Sequence, residues 1–167
     1  MKNYFRGTID HPYHLSVGAV IINDENQICC HHFGQKTEGT PYEGFTDFYL
    51  LMRETLEMGE TIEAALHRGM MEEFGITGEI QTYLGSIKNG YQVTNANPVV
   101  VIEKTTLYFL VKMKTFDPTL RSKEDFAMGS QIEWLPADFL INKMKEWGRR
   151  YENTTLDESS ILERLNF

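Results

Sequence analysis

A chain of 167 residues that is 41% apolar falls within the usual size of one domain and can fill one sizeable core. Its formal net charge is −8, and no Lys/Arg-rich stretch offsets it, which argues against a duplex nucleic acid as partner. Such a partner needs a basic face to displace counterions from its phosphates. An acidic protein can still take a small phosphate compound by recruiting a cation, so the carboxylate clusters are the place to look.

Met1 to Asp10 carries scattered polar and charged residues where a signal peptide would need an apolar stretch. No run approaches membrane-spanning length, so no membrane association and a cytoplasmic location are expected. Cys29 and Cys30 are the only cysteines and are adjacent. On a strand, neighbours point to opposite faces, which predicts two buried reduced thiols rather than a shared metal. The same objection applies to His31 and His32 as a chelating pair.

In chain order, His14 to Ile22 (HLSVGAVII) is apolar and β-branched, Asn23 to Asn26 (NDEN) predicts a turn, and Gln27 to Phe33 a return strand. Gly34 to Asp47 follows as a polar loop, and Phe48 to Met52 predicts another strand. The clearest helix is Thr61 to Phe74 (TIEAALHRGMMEEF), with Thr61 as N-cap, Glu63 in the first turn and Gly75 to end it. Ile62, Leu66, Met70 and Phe74 recur every four residues and predict its core-facing stripe. Strands are expected at Glu79 to Ile87, Tyr91 to Val93 and Val99 to Met113, with a hairpin turn at Asn89-Gly90 between the first two. Gln131 to Trp134 predicts a short final strand, Pro136 opens an amphipathic helix to about Arg150, and Asp157 to Leu165 predicts a last short helix. This order suits a mixed β-sheet packed between helices, in the α/β (α+β) class, rather than a regular βαβ repeat. A single domain over 1–167 is expected, with its core at about 14–150 and C-terminal helices within 136–166.

Glu72 and Glu73 stand in the last turn of their helix, where the carbonyl ends already make negative charge unfavourable. A solvated acidic surface is the ordinary explanation. Arg68 one turn earlier, Gly59-Glu60 just before the helix, and Glu54 and Glu57 in the incoming segment weigh against it. Acids gathered round one arginine are costly without a counter-ion, and a hard cation would relieve their repulsion.

From Glu60 the chain runs through seven residues to Arg68, then three residues to Glu72-Glu73, Phe74, Gly75 and Ile76. This spacing resembles the Nudix box: Gly, five residues, Glu, seven residues, Arg-Glu, an aliphatic, any residue, Glu-Glu, any residue, Gly, an aliphatic. LEMGET at Leu56 to Thr61 and GIT at Gly75 to Thr77 add to the resemblance, which extends more weakly from Ser16 to Leu140. It implies a Nudix-like α/β/α sandwich that cleaves a diphosphate linkage in a nucleoside diphosphate derivative, with Mg²⁺ or Mn²⁺ as cofactor. It also implies Glu72 and Glu73 as metal ligands, Arg68 and Glu60 as the pair that steadies loop and helix, and a nucleotide-type small molecule as substrate. Oligomeric state is left open.

The sequence departs from the box twice. Arg53 and Glu54 replace the opening glycine pair, and Gly69 replaces the glutamate after the arginine. At about 100° per residue, position 69 projects between Glu72 and Glu73, so the missing carboxylate leaves the centre of that face. Either activity has been lost, or another acid substitutes. Glu54 is the first candidate, as a further metal ligand; Glu124 and Asp125 are the second, Glu124 as the extra catalytic acid that Nudix enzymes often place in that region. A catalytically silent module binding a nucleotide or a protein partner is the alternative to the enzyme. Tyr42, Phe45, Phe48, Tyr49, Tyr91 and Trp134 are candidates for stacking on a base, though packing explains most of them equally well.

Overall fold

A computed structural model describes residues 3–34, 44–93, 98–122, 129–151 and 157–166. The first strand, β1 (Tyr13–Ile22), turns at Asn23, whose Oδ1 accepts the N–H groups of Glu25 and Gln27, and returns as β2 (Ile28–Phe33). The turn is therefore the predicted one. The run predicted as a single strand from Phe48 divides into β3 (Phe48–Leu50) and β4 (Met52–Thr55). Leu51 is the break, because its N–H leaves the ladder for the Glu158 carboxylate at 2.8 Å. β3 then pairs with β2, and β4 with β1.

Helix α1 (Ile62–Phe74) begins where the Thr61 side chain accepts the Ala64 N–H, and ends where Gly75 turns left-handed at φ 69°. There a Cβ would lie 2.0 Å from the Asp117 carbonyl oxygen, so only glycine fits both backbone and space. The buried stripe is Ala65, Leu66, Gly69, Met70, Glu73 and Phe74. Ile62, expected within it, is 36% exposed, and burial begins only at Ala65.

Two long antiparallel strands follow, β5 (Ile76–Val93) and β6 (Val100–Phe116). The expected hairpin at Asn89-Gly90 is absent: Asn89 pairs with Lys104 and Gly90 with Glu103 inside one continuous ladder. A turn there would have left the start of β6 without partners, and ladder hydrogen bonds outweigh the local turn preference. After a 3₁₀ turn at Pro118–Leu120 come β7 (Gln131–Leu135), α2 (Ala137–Arg150) and α3 (Ser159–Leu162).

The sheet order is β3-β2-β1-β6-β5, with β4 on β1 and β7 on β2. β1 and β6 are parallel and the other pairs antiparallel, so the sheet is mixed, as expected. Strand β1 is buried on both faces. Val17, Ala19 and Ile21 pack with Leu66, Met70 and Phe74 of α1, while Val20 and Ile22 share a cluster with Leu140 and Met144 of α2 and Ile161 of α3. Each such side chain contributes roughly 1.5–3 kcal/mol, and together they hold α1 to one face and α2 and α3 to the other. No helix among the described residues is long and apolar enough to cross a membrane.

Candidate active site

Arg68 organises the site. Its Nε and Nη2 donate to the two oxygens of Glu60, each at 2.9 Å, and Nη2 also donates to the Thr55 carbonyl at 3.0 Å. Glu60 Oε2 in turn accepts the Glu57 N–H at 3.0 Å. The bidentate pair ties the loop before α1 to the helix, and the Arg68 hydrogen bonds hold the Glu60 carboxyl below its usual range. The remaining nitrogen, Nη1, faces Glu54 at 3.2 Å and Glu72 at 3.7 Å.

Glu54 reaches this point because β4 alternates. Met52 and Glu54 face α1, and Arg53 between them faces away. A Cβ placed on Gly69 would lie 2.8 Å from the Glu54 Cβ, 2.9 Å from the Met52 Sδ and 3.3 Å from the Glu54 Cγ. The Glu54 side chain therefore occupies the space that a side chain at position 69 would need. The two departures from the box are thus sterically linked, since the side chain at 54 fills the space left open by the glycine at 69. Burial pushes the Glu54 carboxyl up, and Arg68 opposes that rise.

Glu73 lies apart from this group. It is 4% exposed, and its Oε2 lies 2.7 Å from His31 Nε2. His31 Nδ1 lies 2.8 Å from Ser130 Oγ, and Arg121 donates to Ser130 through both its hydroxyl and its carbonyl, at 2.8 and 2.9 Å. Burial and the Arg121 charge hold the imidazole well below its usual range, so it is neutral at pH 7. Arg121 can only donate, and its Nη2 also lies 3.4 Å from His31 Nδ1, so Nδ1 accepts and the proton on Nε2 goes to Glu73. This chain of bonds was not legible in the sequence. His31 and His32 do point to opposite faces, as expected; His32 meets Glu133 at 2.6 Å and Asp47 at 3.0 Å.

The structure thus brings Glu54, Glu60, Arg68 and Glu72 together and sets Glu73 against β2. Glu124, Asp125 and Tyr42 lie outside the described residues. Among the described residues, no group of three or more His, Cys, Asp or Glu forms a ready metal cage. Phe48 and Tyr49 are buried in packing, Tyr49 stacked on His32, which removes both as base platforms. Cys29 and Cys30 are buried and unpaired, and burial pushes both thiols up, away from reactivity.

A family model described as NUDIX domain matches residues 12–154. The chain belongs to the Nudix family. Solved Nudix structures share the fold at low identity. A NUDIX hydrolase from Nitrosomonas europaea is 19% identical, with 92% of this chain and 95% of that one covered at a TM-score of 0.53. A MutT protein from Methanosarcina mazei Go1 is 13% identical over 89% and 99%, with a TM-score of 0.51. A MutT NUDIX hydrolase from Burkholderia pseudomallei is 19% identical over 75% and 84%, also at 0.51. No curated protein sequence is significantly similar to the chain.

A buried histidine, His31, and a half-buried one, His14, make stability depend on pH. Burial, then Lys104 and Arg6, push His14 down to about 4, and His31 also lies far below its free value near 6.5. Below pH 6.5 the unfolded chain binds protons that the folded chain refuses, so stability falls as pH falls from 6.5 through 4. Thermal unfolding at pH 7.5 and 5 should show this loss, and a smaller one in His14→Gln. An equal loss in that variant would remove His14 as a source.

Proposed function

We propose that this Nudix protein hydrolyses a diphosphate linkage in a nucleoside diphosphate derivative, using a divalent cation held by Glu54 and Glu72. The observation that carries the reading is the Glu54 side chain seated where a residue at position 69 would project. It supports retention of an acid at the centre of the site, and so favours an enzyme over a silent binding module.

The donor set suits Mg²⁺ or Mn²⁺. Glu54 and Glu72 offer hard carboxylate oxygens that already converge on one positive group, Arg68 Nη1. Mg²⁺ commonly takes only one or two carboxylates and completes its shell with phosphate oxygens and water, so a full protein cage is not required. Glu73, also expected as a ligand, takes a hydrogen bond from His31 through Oε2, a contact that ligating carboxylates commonly make, and stays proposed as a third donor beside Glu54 and Glu72. When bound, the cation neutralises the diphosphate oxygens and acidifies the attacking water. Arg68, clamped by Glu60, holds the end of β4 against α1 and so fixes the spacing of the two carboxylates. Glu124 is assigned the extra catalytic acid on the family resemblance alone.

The test is a panel of nucleoside triphosphates, dinucleoside polyphosphates and nucleotide sugars, incubated with Mg²⁺ or Mn²⁺ and assayed for phosphate or pyrophosphate release. Metal-dependent product from at least one class is expected, and EDTA should abolish it. Measurable nucleotide binding with no product from any class would reassign the protein as a binding module.

A further inference from the structure

The last turn of α1 is tied to two remote parts of the fold. The Ser122 N–H donates to the Glu72 carbonyl at 2.8 Å, and the Asp117 N–H to the Gly75 carbonyl at 2.9 Å. The segment that carries Arg121 is thereby fixed to the turn that carries both glutamates, and it takes up a carbonyl that the helix end leaves open. From the other side β2 brings in His31, which pairs with Ile132 of β7. Its ring stacks on Phe74, with centroids 4.3 Å apart and planes at 26°. His31 is 3% exposed and Ser130 6%, so the polar atoms of both find their partners within the protein.

Those partners form a chain with one direction. Arg121 Nη2 donates to Ser130 Oγ at 2.8 Å, and Nη1 donates to the Ser130 carbonyl at 2.9 Å. The Ser130 hydroxyl proton is then left for His31 Nδ1 at 2.8 Å, and the proton on Nε2 goes to Glu73 Oε2 at 2.7 Å. Because Nδ1 accepts, the ring holds one proton and is neutral. A neutral donor fixes the direction of a carboxylate without cancelling its charge. A carboxylate has about four acceptor positions, so one hydrogen bond leaves it able to ligate a cation. The fold by itself gains little from a polar chain here, since apolar side chains of the same shape would hold α1 on β2 about as well. A carboxylate buried at the carbonyl end of a helix adds a cost of its own.

We propose that His31 is a positioning residue for the cation site: backed by Ser130 and Arg121, it holds the Glu73 carboxylate ionised and fixed in direction, ready to ligate the metal. The inference rests on the cation site proposed above, and within that site on Glu73 rather than on Glu54 and Glu72. His31 does not touch the cation or the substrate. It acts through Glu73 alone.

The test is a calorimetric titration of Mn²⁺ alone into the full chain, well below the melting temperature of each variant. His31→Met keeps an apolar stem and removes the donor, and it should weaken Mn²⁺ binding about tenfold or more. His31→Gln, whose amide can place an N–H where Nε2 stands, should bind Mn²⁺ more tightly than His31→Met. Glu73→Gln should lose at least as much as His31→Met, and combining the two should cost nothing further, because one acts through the other. Ser130→Ala leaves the imidazole in place and removes the link behind Nδ1, so it should weaken binding by a smaller factor, and it reads the same role if His31→Met does not fold. Metal-free melting curves accompany every titration. A lower melting temperature with unchanged Mn²⁺ affinity in His31→Met, or in Ser130→Ala where that variant must serve, would make the chain a structural support only and overturn the proposal. Additive losses in the double variant, or full binding by Glu73→Gln, would do the same. Weakened binding in Glu54→Gln with none in His31→Met would remove this inference and leave the cation site standing; no uptake of Mn²⁺ by the wild type would remove both.

Discussion

Glu54→Gln should lower metal-dependent turnover on the order of 100-fold or more, equivalent to about 2.7 kcal/mol of transition-state stabilisation. Glutamine keeps the size that packs against Gly69 and the oxygen that accepts the Thr55 N–H, so fold and position should survive. The negative charge offered to the cation is lost, and with it the ion pair to Arg68 Nη1. The neighbouring position gives the sharper comparison. On helix propensity alone, filling Gly69 with alanine should stabilise α1 by about 1 kcal/mol. Here a Cβ would meet the Glu54 Cβ at 2.8 Å and the Met52 Sδ at 2.9 Å, so Gly69→Ala should gain nothing. Gly69→Glu should lose activity, because it restores the box residue into space already filled. The double variant Glu54→Gly with Gly69→Glu returns the acid to the helix and empties the strand, and it should recover turnover lost in either single change. Steady-state rates with any substrate found active decide the matter. Full activity in Glu54→Gln, or a gain from Gly69→Glu alone, would break the idea of an exchanged acid.

Glu158→Ala should cost about 3–5 kcal/mol, the usual penalty for removing one partner of a buried ion pair. Its carboxylate is 1% exposed and serves three groups on three segments: Arg53 on β4, the Tyr108 hydroxyl on β6, and the Leu51 N–H between β3 and β4. Alanine removes the carboxylate that Arg53 meets at 3.6 Å and the acceptor of the Leu51 N–H, and it loosens α3 from the sheet. For a domain of this size each kcal/mol moves the melting temperature by about 2–4 °C, so a fall near 10 °C is expected. Glu158→Gln, which can still accept from Leu51, should fall less. Melting followed by circular dichroism measures both. A shift of only a degree or two in Glu158→Ala would mean that the carboxylate is not what holds the C-terminal helix.

The family, the helix and its caps were legible because each rests on residues close together in the chain. Thr61, Gly75 and the four-residue apolar spacing act within α1, and Glu60 and Arg68 meet through a single loop-to-helix turn. The sequence also marked where the site departs from the box, at Glu54 and Gly69. It could not decide what that departure meant. Whether Gly69 leaves a gap or makes room depends on which face of β4 turns to α1, and that follows from the register of β4 on β1. Pairing across distant segments likewise decided the continuous β5 ladder over the turn preference of Asn89-Gly90, and the break at Leu51 over an apolar run. Glu73 was singled out for its position on the helix, yet its partner His31 lies 42 residues away on β2. By itself the sequence determined the α1 helix, the family that its box spacing resembles and a mixed sheet between helices. Tertiary structure alone decided which carboxylates meet, because that outcome depends on strand register, and register is set by pairing between remote parts of the chain.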